Sequence, residues 1–247
     1  MSEHVILIGC TRCGTTSLYN YLGAHPQVNL AKGQGQREVH FFDYEHLYQD
    51  GIEWYRAQFK PNAITCETSP TMLQHWLAPE RLRYHLPDCK LIVLLRNPVD
   101  RAYSDYWLAV RKGWVTGTFE HAIEGEAKRL AWELKTPNFW QQHFYLSEHH
   151  LCGFLERGLY AKHLKRWLEY FPAEQIRVIK SETFFARPAW AVRSTWDWLG
   201  LPDAPLPKFR IWQQADYPAL SPATRAKLEK HYARPNAELK ELLGWTF

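Results

Sequence analysis

Residues 9–17 carry the residue types that bind a phosphate or sulfate group. They join an apolar run to a helical pattern, and in a parallel sheet such a turn offers free backbone N–H groups and the positive end of a helix to an anion. The spacing matches a Walker A loop, except that Thr15, directly after Gly14, stands where the lysine belongs. The cation lies inside the loop, at Arg12. The loop therefore predicts an anionic ligand whose charge is distributed differently from that of a magnesium-bound nucleoside triphosphate.

The same turn has two other interpretations. Glycine-rich turns between a strand and a helix also occur for packing alone, and Cys10 and Cys13 form a Cys-x-x-Cys pair at the position of a thioredoxin-like redox site. The redox interpretation leaves the Gly-Thr-Thr run unexplained. A zinc site would need a second pair, which the other three cysteines are not spaced to provide: Cys66, Cys89 and Cys152. An odd number of scattered cysteines predicts no disulfide framework and favours a reducing cytoplasm.

A second cation follows another apolar run. Residues 91–95 have the length and composition of a buried strand, Arg96 comes directly after them, and Pro98 suits the first position of a helix. Ligands of open α/β sheets bind at the carboxyl ends of the strands. Ser104, about two helical turns further on, would present a hydroxyl to the same anion. Taken alone, Arg96 is better explained by a structural salt bridge.

Residues 37–43 contain an acid and a histidine at alternate positions. Glu38 and His40 would share one face of an extended segment, and Asp43 follows three residues later. On residue types alone, Glu38 is a solvated charge and His40 a half-buried core histidine.

The elements that must position these residues follow from apolar periodicity. Short β-branched or leucine-rich runs alternate with amphipathic patterns, which predicts a parallel sheet covered by helices on both faces. The predicted strands cover residues 4–9, 64–67, 90–95 and 176–180, and the predicted helices cover 15–22, 98–112, 159–171 and 221–243. We expect one P-loop-like α/β domain over residues 1–247, with a less regular, Trp-rich and His-rich insertion at 115–150.

Composition narrows the class of protein. Of 247 residues, 46% are hydrophobic and 23% charged, which excludes a disordered, collagenous or membrane-spanning chain. The formal net charge of +4 is too small and dispersed to indicate a nucleic-acid partner. The apolar stretch near the N-terminus is too short for a signal peptide or a membrane span, so we expect a cytoplasmic protein. The aromatic share of 15% is high enough to build a large core or to line a pocket.

Further motifs occur in a fixed order along the chain. They are Arg12-Cys13-Gly14-Thr15-Thr16-Ser17-Leu18, His25-Pro26, residues 37–43, residues 51–55, Glu67-Thr68-Ser69-Pro70, residues 94–106, residues 158–168, Phe171-Pro172 and the closing Leu-Leu-Gly-Trp at 242–245. In this order and spacing the chain resembles the sulfotransferases that use 3'-phosphoadenosine 5'-phosphosulfate (PAPS). Within them it is most similar to the glycan branch that modifies heparan sulfate, with its bacterial relatives.

The resemblance implies a role for each candidate residue. The first loop would wrap the 5'-phosphosulfate, and Arg96 and Ser104 would hold the 3'-phosphate, so that the product is adenosine 3',5'-bisphosphate (PAP). Glu38 would be the base that takes the proton from an acceptor hydroxyl or amine, with His40 and Asp43 close by. Transfer would be in line and would need no metal. The loop residues concerned are Arg12, Cys13, Gly14, Thr15, Thr16 and Ser17.

The chain departs from the heparan sulfate enzymes at three places. Arg12 replaces their usual lysine, so electrostatic stabilisation is favoured over proton donation to the leaving group. Thr68 stands where they place a lysine near the sulfate, which weakens the case for a sugar acceptor. Their disulfide-bonded C-terminal loop over the nucleotide is missing, and Lys208 or Arg210 would substitute for it. The insertion at 115–150 would suit a small-molecule or glycan acceptor, including an aromatic or apolar one.

Two other function classes stay open from the sequence. One is a P-loop kinase or NTPase with a displaced cation, although a Walker B aspartate is not found where the strand ends at Arg96. The other is a relative that binds PAPS or PAP without catalysing transfer, although Glu38 is present. A metal site at His143, His149 and His150 is disfavoured because the ligand spacing around them is not that of a metal site.

Overall fold

A five-stranded parallel sheet forms the centre of the fold, with the strand order β2-β3-β1-β4-β5. The computed structural model describes residues 4–31, 38–60, 64–133, 135–136, 138–143, 151–210 and 216–247. The strands are β1 (His4–Gly9), β2 (Val28–Leu30), β3 (Ile64–Thr68), β4 (Lys90–Leu95) and β5 (Ile176–Lys180). Because both faces of the sheet are covered at β1 and β4, the apolar side chains of these two strands are buried almost throughout. The predicted α/β class is confirmed.

Helices flank the sheet and connect its strands. They are α1 (Thr15–Leu22), α2 (Glu45–Tyr48), α3 (Ile52–Arg56), α4 (Ala78–His85), α5 (Pro98–Arg111), α6 (Phe119–Ile123), α7 (Glu126–Glu133), α8 (Tyr160–Tyr170), α9 (Ser181–Ala186), α10 (Pro188–Leu199) and α11 (Pro222–Leu243). Ser221 caps α11 as its sequence predicts, because the hydroxyl accepts the N–H of Thr224 at 3.1 Å. None of the helices in the described ranges has an apolar stretch long enough to span a membrane.

The chain divides into two compact units. The first contains residues 1–95 and 167–214, and therefore the whole sheet. Within this unit Gly9, the last residue of β1, packs so closely against a 3₁₀ turn at Pro70–Leu73 that a Cβ would lie 2.6 Å from the Cβ of Leu73. The indole of Trp167 donates to the carbonyl of Leu73 at 3.0 Å. The turn after β3 is thereby fixed at the carboxyl end of the sheet.

The second unit contains residues 96–166 and 215–247 and has its own apolar core. This core joins α5, α6 and α11 around Tyr106, Phe119, Phe154 and Tyr232. Beside it lies a buried ionic cluster, in which Asp105 accepts from Arg101 at 3.0 Å and from Arg157 at 2.7 Å.

The same unit also contains a buried carboxylate in α7. One oxygen of Glu126 accepts the backbone N–H groups of Leu155 and Glu156, each at 2.9 Å. Burial raises the pKa of Glu126 to about 7, although the two backbone hydrogen bonds act in the opposite direction. This contact fastens α7 to residues 155–156.

The four strands and four helices that the sequence predicts are present, within one residue at each end, but helices α2, α3, α4, α9 and α10 were not predicted and two further expectations need correction. Strand β2 was not predicted, because its three residues are half-buried and form no apolar run. The insertion at 115–150 is more regular than expected, since it contains α6 and α7. Residues 144–150, and with them His149 and His150, lie outside the described residues, as does the side chain of His143. One domain over residues 1–247 stays a prediction.

Candidate active site

The turn after β1 has the geometry of an anion-binding loop. Helix α1 begins at Thr15, so the N–H groups of its first turn have no earlier carbonyl in the helix to bond. Gly14 caps this end in the left-handed region, at φ 95°, and contributes no side chain. Arg12 is also left-handed, at φ 68°. Such turns direct successive N–H groups into a concave surface that attracts an anion.

Hydrogen bonds to neighbouring elements of the first unit hold the loop in place. The N–H of Cys10 donates to the carbonyl of Leu94 at 2.8 Å, and the hydroxyl of Ser181 donates to the carbonyl of Cys13 at 2.6 Å. Both cysteines are fully buried thiols that form no disulfide within the described part of the chain. Because reactive thiols are accessible to solvent, this burial argues against the thioredoxin-like interpretation.

Two buried hydroxyls at this edge of the sheet lack a hydrogen-bond partner among the described residues. They are Oγ1 of Thr11, in the loop, and Oγ1 of Thr68, at the end of β3. Burying a hydroxyl without a partner is costly, so a bound ligand with hydrogen-bonding oxygens fits these positions. Thr68 is the residue that stands in place of a lysine in the enzymes the chain resembles.

Gly14→Ala is expected to destabilise the protein for two reasons. A non-glycine residue in the left-handed region costs about 1–2 kcal/mol. A Cβ at this position would also lie 2.7 Å from the ring of Phe185, and overpacking adds about 1–3 kcal/mol. The control is Gly200→Ala, because Gly200 has a similar φ of 73° but no atom within 4 Å of its Cβ position. Chemical unfolding of both variants checks this, and equal losses would disprove the steric part.

Glu38, His40 and Asp43 form a connected cluster. Nε2 of His40 lies 3.0 Å from Oε2 of Glu38, and Nδ1 lies 3.0 Å from Oδ2 of Asp43. The ring of Tyr44 stacks on the imidazole at 4.1 Å between centroids. His40 and Asp43 are buried, whereas 42% of the Glu38 side chain is exposed. The arrangement presents one carboxylate to solvent and supports it with a buried pair, and the core-histidine interpretation of His40 is incomplete because its ring contacts both acids.

The two acids keep His40 protonated at neutral pH. Burial alone would lower the pKa of His40, but the charges and hydrogen bonds of Asp43 and Glu38 outweigh it and raise the pKa to about 10. The pKa of Asp43 is lowered, because the charge and hydrogen bond of His40 overcome the opposite effect of burial. Both ring nitrogens therefore carry a proton at pH 7, and each donates to one carboxylate.

Segment 67–71 holds this cluster in place, which the sequence did not reveal. The hydroxyl of Ser69 accepts the backbone N–H of His40 at 2.9 Å and donates to Glu67 at 3.1 Å. The hydroxyl of Thr71 donates to Oδ2 of Asp43 at 2.5 Å. A weak signal was available, because Glu67, Ser69 and Thr71 are polar residues at alternate positions at the end of a buried strand.

The loop at 9–17 and the acidic cluster lie at the same end of the sheet, where the parallel strands have their carboxyl ends. Leu7 of β1 pairs with Thr68, and its carbonyl accepts the N–H of Ser69 at 3.1 Å. Gly9, where the loop starts, packs on Leu73. The residues that hold Glu38, His40 and Asp43 therefore lie directly beside the strand that leads into the loop at 9–17.

Arg96 and Ser104 belong to the second unit. Arg96 directly follows β4, and its carbonyl accepts from the hydroxyl of Tyr160 at 2.8 Å. Asn97 caps α5 by accepting the N–H groups of Val99 and Asp100. Ser104 lies within α5 and is 1% exposed. The strand-to-helix geometry predicted for Arg96 is confirmed, and the 3'-phosphate role of Arg96 and Ser104 stays a prediction.

Lys208 and Arg210 are exposed residues of the first unit. The hydroxyl of Tyr21, in α1, accepts the backbone N–H of Arg210 at 3.0 Å and donates to its carbonyl at 2.5 Å. The ring of Phe209 packs edge-on against Tyr21 at 5.0 Å. This segment is thus fixed to α1, the helix that follows the loop at 9–17. Residues 211–215 lie outside the described residues.

Comparison with known proteins identifies relatives of the chain. A family described as "Sulfotransferase domain" matches residues 2–230. Heparan sulfate glucosamine 3-O-sulfotransferase 5 of Homo sapiens is 31% identical over 206 residues, which are 80% of this chain and 53% of that protein. This chain therefore spans about half the length of that relative.

Two solved structures share the fold. A sulfotransferase from Alicyclobacillus acidocaldarius has a TM-score of 0.79 and 26% identity, and the match covers 100% of this chain and 98% of that one. A mouse sulfotransferase complexed with PAP has a TM-score of 0.50 and 13% identity, covering 96% of this chain and 66% of that one, and this likeness concerns the fold alone. Because the family match covers nearly the whole sequence, this chain belongs to the sulfotransferase family.

Proposed function

We propose that this sulfotransferase moves the sulfuryl group of PAPS to an acceptor hydroxyl or amine, with Glu38 as the general base. The observation that carries the proposal is the position of the Glu38–His40–Asp43 cluster next to the loop at 9–17, at the carboxyl end of the strands. No side chain in the described part of the chain caps the first turn of the helix that follows this loop. An ordinary carboxylate is a weak base for an alcohol. It becomes effective when its position is fixed and the hydroxyl acidifies in the transition state.

His40 orients the base in this proposal. Its imidazolium donates one proton to Oε2 of Glu38, so the other oxygen of that carboxylate takes the proton of the acceptor. The new bond between the acceptor atom and sulfur forms as the bond from sulfur to the 5'-phosphate oxygen breaks. Arg12 and the N–H groups at the start of α1 stabilise the negative charge that develops on the departing phosphate. PAPS supplies the activated sulfuryl group, and positioning and charge stabilisation are the main contributions of the protein.

The residues at the two ends of the nucleotide belong to different parts of the sequence. We assign the 5'-phosphosulfate to residues 12–17 and the 3'-phosphate to Arg96 and Ser104. The orphaned hydroxyls of Thr11 and Thr68 support the first assignment, because sulfuryl and phosphate oxygens would accept from them. Lys208 and Arg210 are proposed as further nucleotide contacts.

The acceptor contact is proposed in the 115–150 region of the second unit. Helix α7 carries a pocket of about 320 Å³ lined by Lys128, Arg129, Trp132 and Glu133. Trp132 is 72% exposed, so its ring presents a flat apolar face beside two cations. This surface supports an acceptor that combines a flat sugar or aromatic face with a negative charge. The heparan sulfate acceptor named for the curated relative is one member of that class.

Thermal shift measurements with three nucleotides test the donor. We expect PAP to raise the melting temperature more than 5'-AMP or ATP with magnesium, because at equal concentration the ligand that binds the folded state most tightly stabilises it most. In Arg96→Ala, the affinity for PAP should fall about tenfold or more, since a charge-assisted bond to the 3'-phosphate is lost. The affinity for 5'-AMP should not change.

The matched control for this measurement is Arg111→Ala, an exposed arginine at the end of α5. It should leave the preference for PAP intact. Stabilisation by ATP with magnesium alone would refute the donor assignment. An unchanged PAP affinity in Arg96→Ala would refute the 3'-phosphate site.

A further inference from the structure

Behind the acidic cluster lies a buried carboxylate that the proposed reaction does not use. Glu67 is 1% exposed, at the end of β3. It accepts from the hydroxyl of Tyr55 at 3.2 Å and from the hydroxyl of Ser69 at 3.1 Å. Both of its oxygens are therefore committed to hydrogen bonds within the protein.

Ser69 connects Glu67 to His40. Its hydroxyl donates to Glu67 and at the same time accepts the backbone N–H of His40 at 2.9 Å. A hydroxyl that donates to a carboxylate becomes a better acceptor, so the two bonds strengthen each other. The chain of contacts thus runs from Tyr55 through Glu67 and Ser69 to the main chain of His40.

The main chain of His40 needs such support. Its φ is 54°, in the left-handed region, which is uncommon for a residue with a side chain and costs free energy unless the surroundings maintain it. This conformation directs the ring so that one nitrogen meets Asp43 and the other meets Glu38. If His40 relaxed to an ordinary backbone conformation, the ring could not keep both contacts.

We infer that Glu67 and Ser69 are positioning residues, which hold His40 in its left-handed conformation and thereby fix the orientation of the Glu38 carboxylate. The inference rests on the proposed role of Glu38 as the base. It gives the tetrad Glu67-Thr68-Ser69-Pro70 a function in this chain that does not require a lysine. Thr71, which donates to Asp43, completes the support from the same segment.

The pKa of Glu67 depends on its burial and on the charged and polar groups around it. Burial raises the pKa of Glu67 to about 7, and the charge of Asp43 acts in the same direction, while Ser69, Tyr55 and His40 act against it. The charge of Glu67 also acts on the thiols of Cys66 and Cys89, and the pKa of each is raised by burial and by Glu67.

The test is a pH titration of the His40 ring by NMR in protein labelled with ¹⁵N-histidine, with the signal assigned by its loss in His40→Gln. In Ser69→Ala we expect the acid dissociation constant of His40 to rise about tenfold or more, since the ring leaves its two carboxylates. Glu67→Gln keeps an acceptor for Ser69 but removes a negative charge, so a smaller rise of about threefold is expected. Ser69→Thr retains the hydroxyl and should restore the wild-type value.

The matched control is Ser194→Ala. The hydroxyl of Ser194 also accepts one N–H, from Arg177 at 2.8 Å, and donates to one carbonyl, of Ala191 at 3.2 Å, but it has no contact with His40. It should leave the His40 titration unchanged. If Ser69→Ala does not fold, the inference is tested by the other two variants. Glu67→Gln should raise the acid dissociation constant of His40, and Ser69→Thr should not. Titrations of Ser69→Ala and Glu67→Gln that match that of Ser194→Ala would overturn the inference.

The titration needs neither donor nor acceptor, so its outcome is separate from that of the proposed function. A protein that does not bind PAP but shows the expected His40 shifts would refute the donor while the positioning effect stands. In a protein that binds PAP, Ser69→Ala should lower the transfer rate about tenfold with no change in PAP affinity. A loss confined to the melting temperature would indicate a purely structural role and would contradict the inference.

Discussion

Glu38→Gln is expected to lower the rate of sulfuryl transfer by about 10²- to 10⁴-fold, the usual contribution of a general base. Glutamine has the shape of glutamate and still accepts the proton of His40, so the cluster should keep its geometry. It cannot take a proton from the acceptor. Single-turnover transfer of labelled sulfate from PAPS, with an acceptor that the wild-type protein modifies, measures this loss directly.

Two comparisons make the result specific to the base. The affinity for PAP should be unchanged in Glu38→Gln, because the nucleotide is assigned to other residues. Glu53→Gln is the matched control, since Glu53 is an exposed carboxylate of the same unit that pairs only with Arg56 among its described ion pairs. Full transfer activity in Glu38→Gln would show that a different group accepts the proton.

Asp105→Asn is expected to cause a large loss of stability in the second unit. Asp105 is 3% exposed and accepts from two guanidinium groups that are equally inaccessible, those of Arg101 and Arg157. Removing the anion takes the charged acceptor away from two buried guanidinium groups. Breaking a buried ion pair from one side costs about 3–5 kcal/mol, and urea unfolding of the whole protein is the measurement.

The control for Asp105 lies on the same helix. Asp100 pairs with Arg225, but both side chains are more than a third exposed. Solvent screens such a pair, so Asp100→Asn should cost less than about 1 kcal/mol. If the two variants unfolded at the same urea concentration, the buried cluster would contribute no more than a surface salt bridge.

The fold could be predicted where the sequence is locally consistent. Strands β1 and β4 are continuous apolar runs because both of their faces are covered, and α1 and α11 have clear termini at Gly14 and Ser221. Strand β2 contains only three half-buried residues and owes its existence to pairing with β3, between Asn29 and Thr65 for example. Pairing with a distant strand leaves no periodic signal, so β2 could not be predicted.

The candidate site shows the same division between local and distant information. The loop at 9–17 is a local motif and could be recognised from its spacing, whereas the roles expected of Glu38, His40 and Asp43 came only from the resemblance of residues 37–43 to a known family. The hydrogen bond between Ser69 and His40 joins residues 29 positions apart, and the one between Thr71 and Asp43 joins residues 28 positions apart. Such contacts depend on how the chain returns to the same edge of the sheet. The pairing of Leu7 with Thr68 brings the loop at 9–17 beside the segment 67–71 that contacts His40 and Asp43.

The hydrogen bonds from Glu126 to the main chain at 155–156 also limit which changes of sequence the second unit can accept. They act as a non-covalent crosslink between residues 29 and 30 positions apart. Leu130 and Phe139 are buried within the segment that this crosslink encloses, so a change in their spacing would disturb packing as well as the crosslink. Substitutions at exposed positions of α7, such as Trp132, leave both intact. The surface of this helix can therefore change while Glu126 keeps the helix attached to residues 155–156.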